Sequence, residues 1–339
     1  MSKPTYPQKP IIVVVGPTAS GKSDLAVKLA KKFNGEVISA DSRQVYKGMD
    51  IGTGKVPLSS PPLAQRGARG VKPAGYYGGI AHYLIDVASP SRRFTAGQYK
   101  KLGQAAIKKI QDKNKIPIVC GGTGFYIRML VDDLQVPAVK PDLKLRAKLE
   151  KKTTQELFAE LKKLDPRRAA EIDRANPRRL VRALEIIYLT GKPVPPPPPS
   201  VIPGLTRNPE PGSRIKCGMT NNNVLFLGIR LPRPKLAKRI KARLAKRLKQ
   251  GMLAEVKKLR AQGVSWKRLD SFGLEYRWLA KFLQNKISYE EMVERLQKDI
   301  EHYAKRQMTW FGRDERIRWI KNSAQAEKFM AKFLKKSAL

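Results

Sequence analysis

Five apolar residues, Ile11 to Val15, run directly into Gly16-Pro-Thr-Ala-Ser-Gly-Lys-Ser23, and the spacing Gly-x-x-x-x-Gly-Lys-Ser after a strand admits few folds. The segment that follows, Asp24 to Phe33, has helical periodicity, so strand, loop and helix stand in the order of a P-loop. Glycines at 16 and 21 let backbone N–H groups close round an anion, with Pro17, Thr18, Ala19 and Ser20 forming the rim between them. The helix N-terminus adds partial positive charge, Lys22 adds a full one, and the Ser23 hydroxyl is suited to a magnesium ion. Phosphate is therefore the expected ligand. Which phosphate compound binds stays open at this point, because the cradle accepts any diphosphate.

The N-terminal part alternates elements: strand 11–15, helix 24–33 ended by Asn34-Gly35, strand 36–40, helix 97–111 and strand 116–120. That order predicts an α/β fold, a P-loop NTPase-like parallel sheet flanked by helices. Between Lys55 and Gly79 lie 25 residues with five glycines, four prolines and no acid, which reads as a mobile loop with no packed element of its own. From Asp142 to Gly191 the pattern becomes wholly helical, with starts at Asp142, Asp165-Pro166 and Asn176-Pro177 and a stop at Gly191. It predicts an inserted all-helical lobe over 138–192, dividing a core of 1–137 and 223–322.

Residues 193–211 hold nine prolines, so 193–222 reads as a stiff spacer, and 323–339 as a tail. Val224 to Ile229 reads as a strand returning to the core sheet. After it comes a basic helix with an apolar stripe of Leu236, Ile240, Leu244, Leu248 and Met252; twelve Lys or Arg and one acid lie between Arg233 and Arg260. Ser288 with Glu291 reads as a capping box opening a last helix that carries Met292, Leu296, Ile300 and Tyr303 on one face.

The P-loop does not stand alone. Asp41-Ser-Arg-Gln-Val-Tyr-Lys-Gly-Met-Asp-Ile-Gly-Thr53, Ile80-Ala-His-Tyr-Leu-Ile-Asp86, Gly121-Gly-Thr-Gly-Phe-Tyr126, Arg179-Leu-Val-Arg-Ala-Leu-Glu185 and Lys305-Arg-Gln-Met-Thr-Trp-Phe311 follow in order, and together the chain resembles the tRNA dimethylallyltransferases over most of residues 11–320. The resemblance implies transfer of a dimethylallyl group from dimethylallyl diphosphate to N6 of the adenosine 3′ of the anticodon. A P-loop suits such a reaction because negative charge gathers on the departing diphosphate. By the same match Asp41 is the catalytic base, Arg243 faces the diphosphate, Lys22 and the loop hold it, and Mg2+ sits at Ser23. Read without the flanking block, Asp41 fits better a carboxylate holding magnesium through water, as in P-loop kinases. The tRNA anticodon stem-loop would meet Asp41, Ser42, Arg43, Gln44, Thr123, Arg146, Arg178, Arg179, Arg182, Lys305, Arg306 and Gln307. The family pattern Gly-Tyr-Arg or Gly-Tyr-Lys is replaced here by Gly273-Leu-Glu-Tyr276, which leaves the contacts of that stretch open.

Charge supports a polyanionic partner: 69 Lys and Arg face 28 Asp and Glu, a formal net of +41, unless the excess reflects a general lysine bias. Two cysteines, Cys120 and Cys217, form neither a disulfide framework nor a metal motif, and His82 and His302 are too few for a metal cluster. With no signal pattern in residues 1–10 and no long apolar run, a soluble cytoplasmic monomer without obligate protein partner is expected. Two competing readings are a P-loop kinase of a small molecule or nucleotide, and a noncatalytic RNA-binding protein with a vestigial loop.

Overall fold

The computed structural model describes residues 9–60, 71–132, 134, 139–195 and 223–337. The chain divides into two compact units, Met1–Asp133 with Asn221–Leu339, and Leu134–Thr220.

The first unit is built on a seven-stranded sheet of β1 (Ile11–Val15), β2 (Gly35–Ser39), β3 (Gly75–Tyr77), β4 (Ile80–Tyr83), β5 (Ile116–Gly121), β6 (Val224–Ile229) and β7 (Ile317–Ile320). Its order is β3-β4-β2-β5-β1-β6-β7, and only the edge pair β3–β4 is antiparallel. β1 has no polar alternation because both faces of the sheet are covered. Ile11, Val13 and Val15 point into one core with the basic helix and the C-terminal helices, while Ile12 and Val14 point into another with the P-loop helix. The residue pairs Val15↔Gly121, Val15↔Gly228 and Ser39↔Cys120 set the carboxyl ends of four parallel strands along one edge. Everything that follows those strands meets there.

Helix α1 (Lys22–Lys32) follows the P-loop, and α2 (Ala96–Asp112) opens on a complete capping box of Thr95 and Gln98. α3 (Gly124–Val131) follows β5. In the second unit α4 (Leu143–Leu149), α5 (Thr154–Leu164), α6 (Pro166–Glu171) and α7 (Pro177–Thr190) surround Leu149, Leu157, Leu161, Leu180 and Leu184. Asp142, Asp165 and Asn176 each accept N–H bonds at a helix start, and Gly191 ends α7 in the left-handed region at φ 66°. The further start at Thr153, boxed with Glu156, went unread in the sequence.

Back in the first unit come α8 (Arg233–Lys249), α9 (Met252–Ala261), α10 (Trp266–Phe272), α11 (Leu274–Leu283), α12 (Tyr289–Phe311) and α13 (Ser323–Ser337).

Four expectations change. The Lys55–Gly79 stretch does carry an element: Gly75–Tyr77 pairs antiparallel with β4, and Ser59 bridges Tyr76. Only 61–70 of it lie outside the described residues. Met252 is buried but belongs to α9, since Gly251 at φ 94° breaks the helix before it. Ser288 caps α12 with half a box, because Glu291 turns its carboxylate to Arg295, one helical turn on, at 2.5 Å. Residues 323–337 form α13, which buries Ala326 and Met330 against the sheet. The spacer over 196–222, with Cys217, lies outside the described residues.

The second unit hangs on one carboxylate. Glu185 is fully buried, accepts two bonds from Arg146 at 2.7 Å each, one from Arg182 at 2.5 Å, and the Asp142 N–H at 2.8 Å. Burial works to raise its pKa, but the arginine and backbone donors outweigh burial and hold it below 4.5. A depressed carboxylate stabilises the fold above its unfolded pKa, and that contribution is lost as pH falls through the folded value. Glu185→Gln is expected to cost about 2 kcal/mol at pH 7, a buried-pair loss discounted for the partly exposed arginines. The difference from wild type should shrink as pH falls below 4.5, measured by urea unfolding across pH.

Candidate active site

The P-loop wraps the start of α1. Gly16 sits at φ 157°, Ala19 at 61° and Gly21 at 90°, and no side chain caps the helix at Gly21. The first N–H groups of α1 are thereby left for an anion. Lys22 Nζ folds back to the Pro17 carbonyl at 3.2 Å, and burial lowers its pKa. The Ser20 hydroxyl is buried and makes no hydrogen bond. Such a group in a native fold calls for a partner, and a phosphate oxygen is one.

The loop is braced from a helix far along the chain. The Thr18 N–H donates to Gln307 Oε1 at 2.8 Å, while Gln307 Nε2 donates to the Gly122 carbonyl at 2.9 Å. Gln307 is buried, with both ends of its amide committed to these loops. Expected from the sequence as a tRNA contact, Gln307 ties the P-loop to the end of the strand beside it.

Asp41 stands just past β2, where the strand edge delivers it beside the P-loop. Its Oδ1 accepts the Arg43 N–H at 2.8 Å and the Gln44 N–H at 3.4 Å, so the carboxylate is held by its own turn. Thr123, just past β5, accepts the Ser42 N–H at 3.0 Å and donates its own N–H to Ala40 at 3.1 Å. Asp41, Ser42, Arg43, Gln44 and Thr123 thus form one connected turn system. Lys305 and Arg306 are exposed near the end of α12, with the Arg306 guanidinium 5.9 Å from the Tyr303 ring. In the second unit Arg178 is exposed at the start of α7, Arg179 is half-buried, and Arg146 and Arg182 share Glu185.

Helix α8 delivers three arginines four residues apart. Arg239 donates to the Ser20 carbonyl at 3.4 Å and Arg243 to the Thr18 hydroxyl at 3.4 Å. Arg247 donates to the Gly52 carbonyl at 3.3 Å and to Glu275 at 3.2 Å. Burial, then the neighbouring Arg247 charge, brings the Arg243 pKa down to about 10. Lys241, Lys246 and Lys249 are exposed on the same helix. Sequence reading singled out Arg243 and missed Arg239 and Arg247, although their i, i+4 spacing beside the apolar stripe was a legible signal.

Glu255 was also missed. Its carboxylate accepts the N–H groups of Asp50, Ile51 and Gly52 at 2.7, 2.6 and 3.1 Å, and the Tyr276 hydroxyl at 2.7 Å. It fixes the end of the block that begins at Asp41. Lys55 closes the same block, reaching the Tyr46 carbonyl, Asp50 and Asp86 at 2.7, 2.7 and 2.5 Å.

Thr18 to Asp24, Asp41, Gln44, Thr53, Gly54, Val56, Cys120, Gly121, Arg239 and Arg243 enclose a cavity of about 570 Å³. Cys120 lies at its base with its thiol pKa pushed up to about 12 by burial, which keeps it protonated and unreactive. Ser23 and Asp41 offer oxygens in the same cavity, an arrangement that suits Mg2+, which keeps much of its shell as water and phosphate. Among the described residues no group of three or more His, Cys, Asp or Glu could hold a metal by itself.

A phosphate cradle, a carboxylate and cationic side chains at the carboxyl edge of a parallel sheet define a P-loop enzyme of the α/β class. The sequence model of the IPP transferase family matches residues 44–314, and that of isopentenyl transferase matches 9–60. The chain belongs to the IPP transferase family. A tRNA dimethylallyltransferase of Pelotomaculum thermopropionicum is 38% identical over 318 residues, covering 93% of this chain and 91% of the relative. The crystal structure of the tRNA isopentenylpyrophosphate transferase of Bacillus halodurans superposes with a TM-score of 0.65 at 30% identity, covering 98% of each chain. A eukaryotic dimethylallyltransferase described as acting on tRNA gives 0.65 at 29% identity, over 89% of this chain and 69% of its own. Among the described residues no helix is long and apolar enough to cross a membrane.

Gln307→Leu is expected to weaken binding of inorganic pyrophosphate about fivefold, the worth of one hydrogen bond of about 1 kcal/mol, while leaving tRNA affinity within twofold. Calorimetry with pyrophosphate and filter binding with tRNA check both halves.

Proposed function

We propose that this enzyme transfers a dimethylallyl group from dimethylallyl diphosphate to N6 of the adenosine 3′ of the anticodon in tRNA, working as a cytoplasmic monomer. The observation that carries the reading is a single cavity lined by the P-loop, Asp41 and Arg243 together. A kinase needs the same cradle, but the family membership and the arginines ranged along α8 favour a diphosphate that departs.

The chain's residues divide the work. The P-loop N–H groups, Lys22 and the Ser20 hydroxyl hold the diphosphate, with Arg243 opposite them, where negative charge grows as the bond breaks. Asp41 accepts the N6 proton as the N6–C1 bond forms and the C1–O bond breaks, the bonding electrons leaving on the diphosphate. Its Oδ1 is committed to the turn, which leaves the orientation of the carboxylate fixed before substrate arrives. When bound at Ser23, Mg2+ would neutralise diphosphate oxygens.

A base in a tRNA loop has to leave its stack to enter such a cavity. Asp41 to Gln44 with Thr123 line the route on the strand edge. In the first unit Lys305 and Arg306 meet backbone phosphates; in the second Arg178 does so, with Arg146, Arg179 and Arg182 beside it on the same lobe.

The decisive experiment incubates the protein with tRNA, Mg2+ and dimethylallyl diphosphate and examines anticodon-loop nucleosides by mass spectrometry; turnover of ATP onto a small acceptor with no gain of the five-carbon group would return the kinase reading. Asp41→Asn keeps the turn but removes the base, and kcat is expected to fall about a thousandfold with tRNA affinity within a few-fold. Arg178→Ala and Lys305→Ala should each reduce the slope of log affinity against log salt by roughly 0.7 to 0.9, read from binding isotherms at several salt concentrations.

A further inference from the structure

Arg247 lies behind the cavity and takes no part in the function assigned so far. It is only 8% exposed, and its Nη2 is buried without a hydrogen bond. A guanidinium donor left unpaired inside a protein is costly, so its position asks for a reason. Two anchors hold it there: Glu275 at 3.2 Å and the Gly52 carbonyl at 3.3 Å. Glu275 is itself buried, and burial raises its pKa.

The Arg243 and Arg247 guanidiniums converge on Gly54. A Cβ at that position would stand 1.6 Å from Arg247 Nη2 and 2.1 Å from Arg243 Nη2, and Gly54 is in the left-handed region at φ 61°. Only glycine leaves room for the pair. Arg243 lines the cavity, and the Arg247 Nη2 stands beside the Arg243 Nη2 at the same point of the Gly54 turn, so Arg247 packs against Arg243 and adds its charge at short range. Two neighbouring buried cations repel, and Glu275 offsets one of them. Asp41 and Asp24 also act on Arg243, and an anion entering beside it adds further compensation.

The sequence departure noted at Gly273-Leu-Glu-Tyr276 falls on this pair. Glu275 of that stretch has Arg247 on the basic helix as its partner.

We propose that Arg247, latched by Glu275, is a positioning residue of the diphosphate site: it sets the Arg243 guanidinium against the P-loop and raises the positive potential at the departing diphosphate. The inference rests on the dimethylallyl-transfer reading for its role in turnover, but its binding component is independent of that reading.

The Arg247→Met/Glu275→Gln double variant removes both charges with little change in volume. Binding of inorganic pyrophosphate, by calorimetry, is expected to weaken about tenfold. In turnover, kcat should fall at least tenfold, because leaving-group charge is greatest in the transition state, with tRNA affinity within twofold. Unchanged pyrophosphate affinity and unchanged kcat in a folded double variant would overturn the proposal and leave the pair a packing feature. Glu275→Asp is the second variant, keeping every charge while withdrawing the latch by one methylene. It is expected to lower kcat about fivefold at unchanged tRNA affinity, and a wild-type kcat there would equally overturn the proposal. If wild-type protein binds pyrophosphate but forms no prenylated tRNA, the functional reading fails, whereas Arg247 is still judged by the pyrophosphate affinity ratio.

Discussion

Positive charge held out of water at one edge of a parallel sheet is the constraint around which the first unit is organised. Lys22 and the open end of α1 approach from one side, Arg239 and Arg243 from α8 on the other. Cations so placed repel one another and lose hydration, so each has to be tied down by atoms that do not cancel it. The ties are mostly carbonyl oxygens and hydroxyls: Pro17, Ser20, Thr18 and Gly52. Neutral acceptors fix direction without neutralising charge. Carboxylates are used more sparingly, Glu275 behind Arg247 and Asp41 at the mouth, and the site keeps its appetite for an anion.

A second nest of backbone N–H groups in the same unit shows the opposite use of the same physics. Asp50, Ile51 and Gly52 point three consecutive donors at one place, as a P-loop does, but Glu255 already occupies it. Tyr276 completes the arrangement from α11. The filled nest is a rivet that fixes the end of the block begun by Asp41. At the nest of Gly16–Ser23 the Ser20 hydroxyl goes unused among the described residues. Occupied by protein, such a nest builds structure; left open, it builds a site.

Much of the fold was legible because local chemistry decided it. The apolar run Ile11–Val15, the Pro-bearing helix starts at 166 and 177, Gly191 as a stop and the strand Val224–Ile229 all depend on neighbours in sequence. The P-loop and Asp41 were legible for the same reason. Gly75–Tyr77 was not, since a short edge strand with glycine is specified by its partner β4 and hardly at all by its own residues. The bracing bonds of Gln307 were not legible, because a motif shows that a glutamine matters and never which way it faces; its partners Thr18 and Gly122 are 289 and 185 residues away. Glu255 and Glu275 were invisible for a related reason. A lone acid in a basic region gives no sign of whether it is solvated or is the counter-ion on which a site depends.

The same distinction between committed and uncommitted charge bears on RNA. With 28 acids, at most 28 of the 69 cationic side chains could be neutralised within the chain even if every acid were paired one to one. Glu185 spends its charge on two arginines, Arg146 and Arg182, and Glu36 on two lysines, Lys113 and Lys115, so some acids hold cations in pairs. Shared acids organise basic residues without removing the excess. In the second unit this means that Arg146 and Arg182 are presented in a fixed geometry, their forks partly used, while exposed Arg178 keeps its donors for solvent or phosphate. A general lysine bias would raise the total charge, but it would not place arginines on a buried carboxylate at a helix lobe or range them four apart along α8. Arrangement, more than the sum of charges, is what separates a surface made for a polyanion from one that is merely basic.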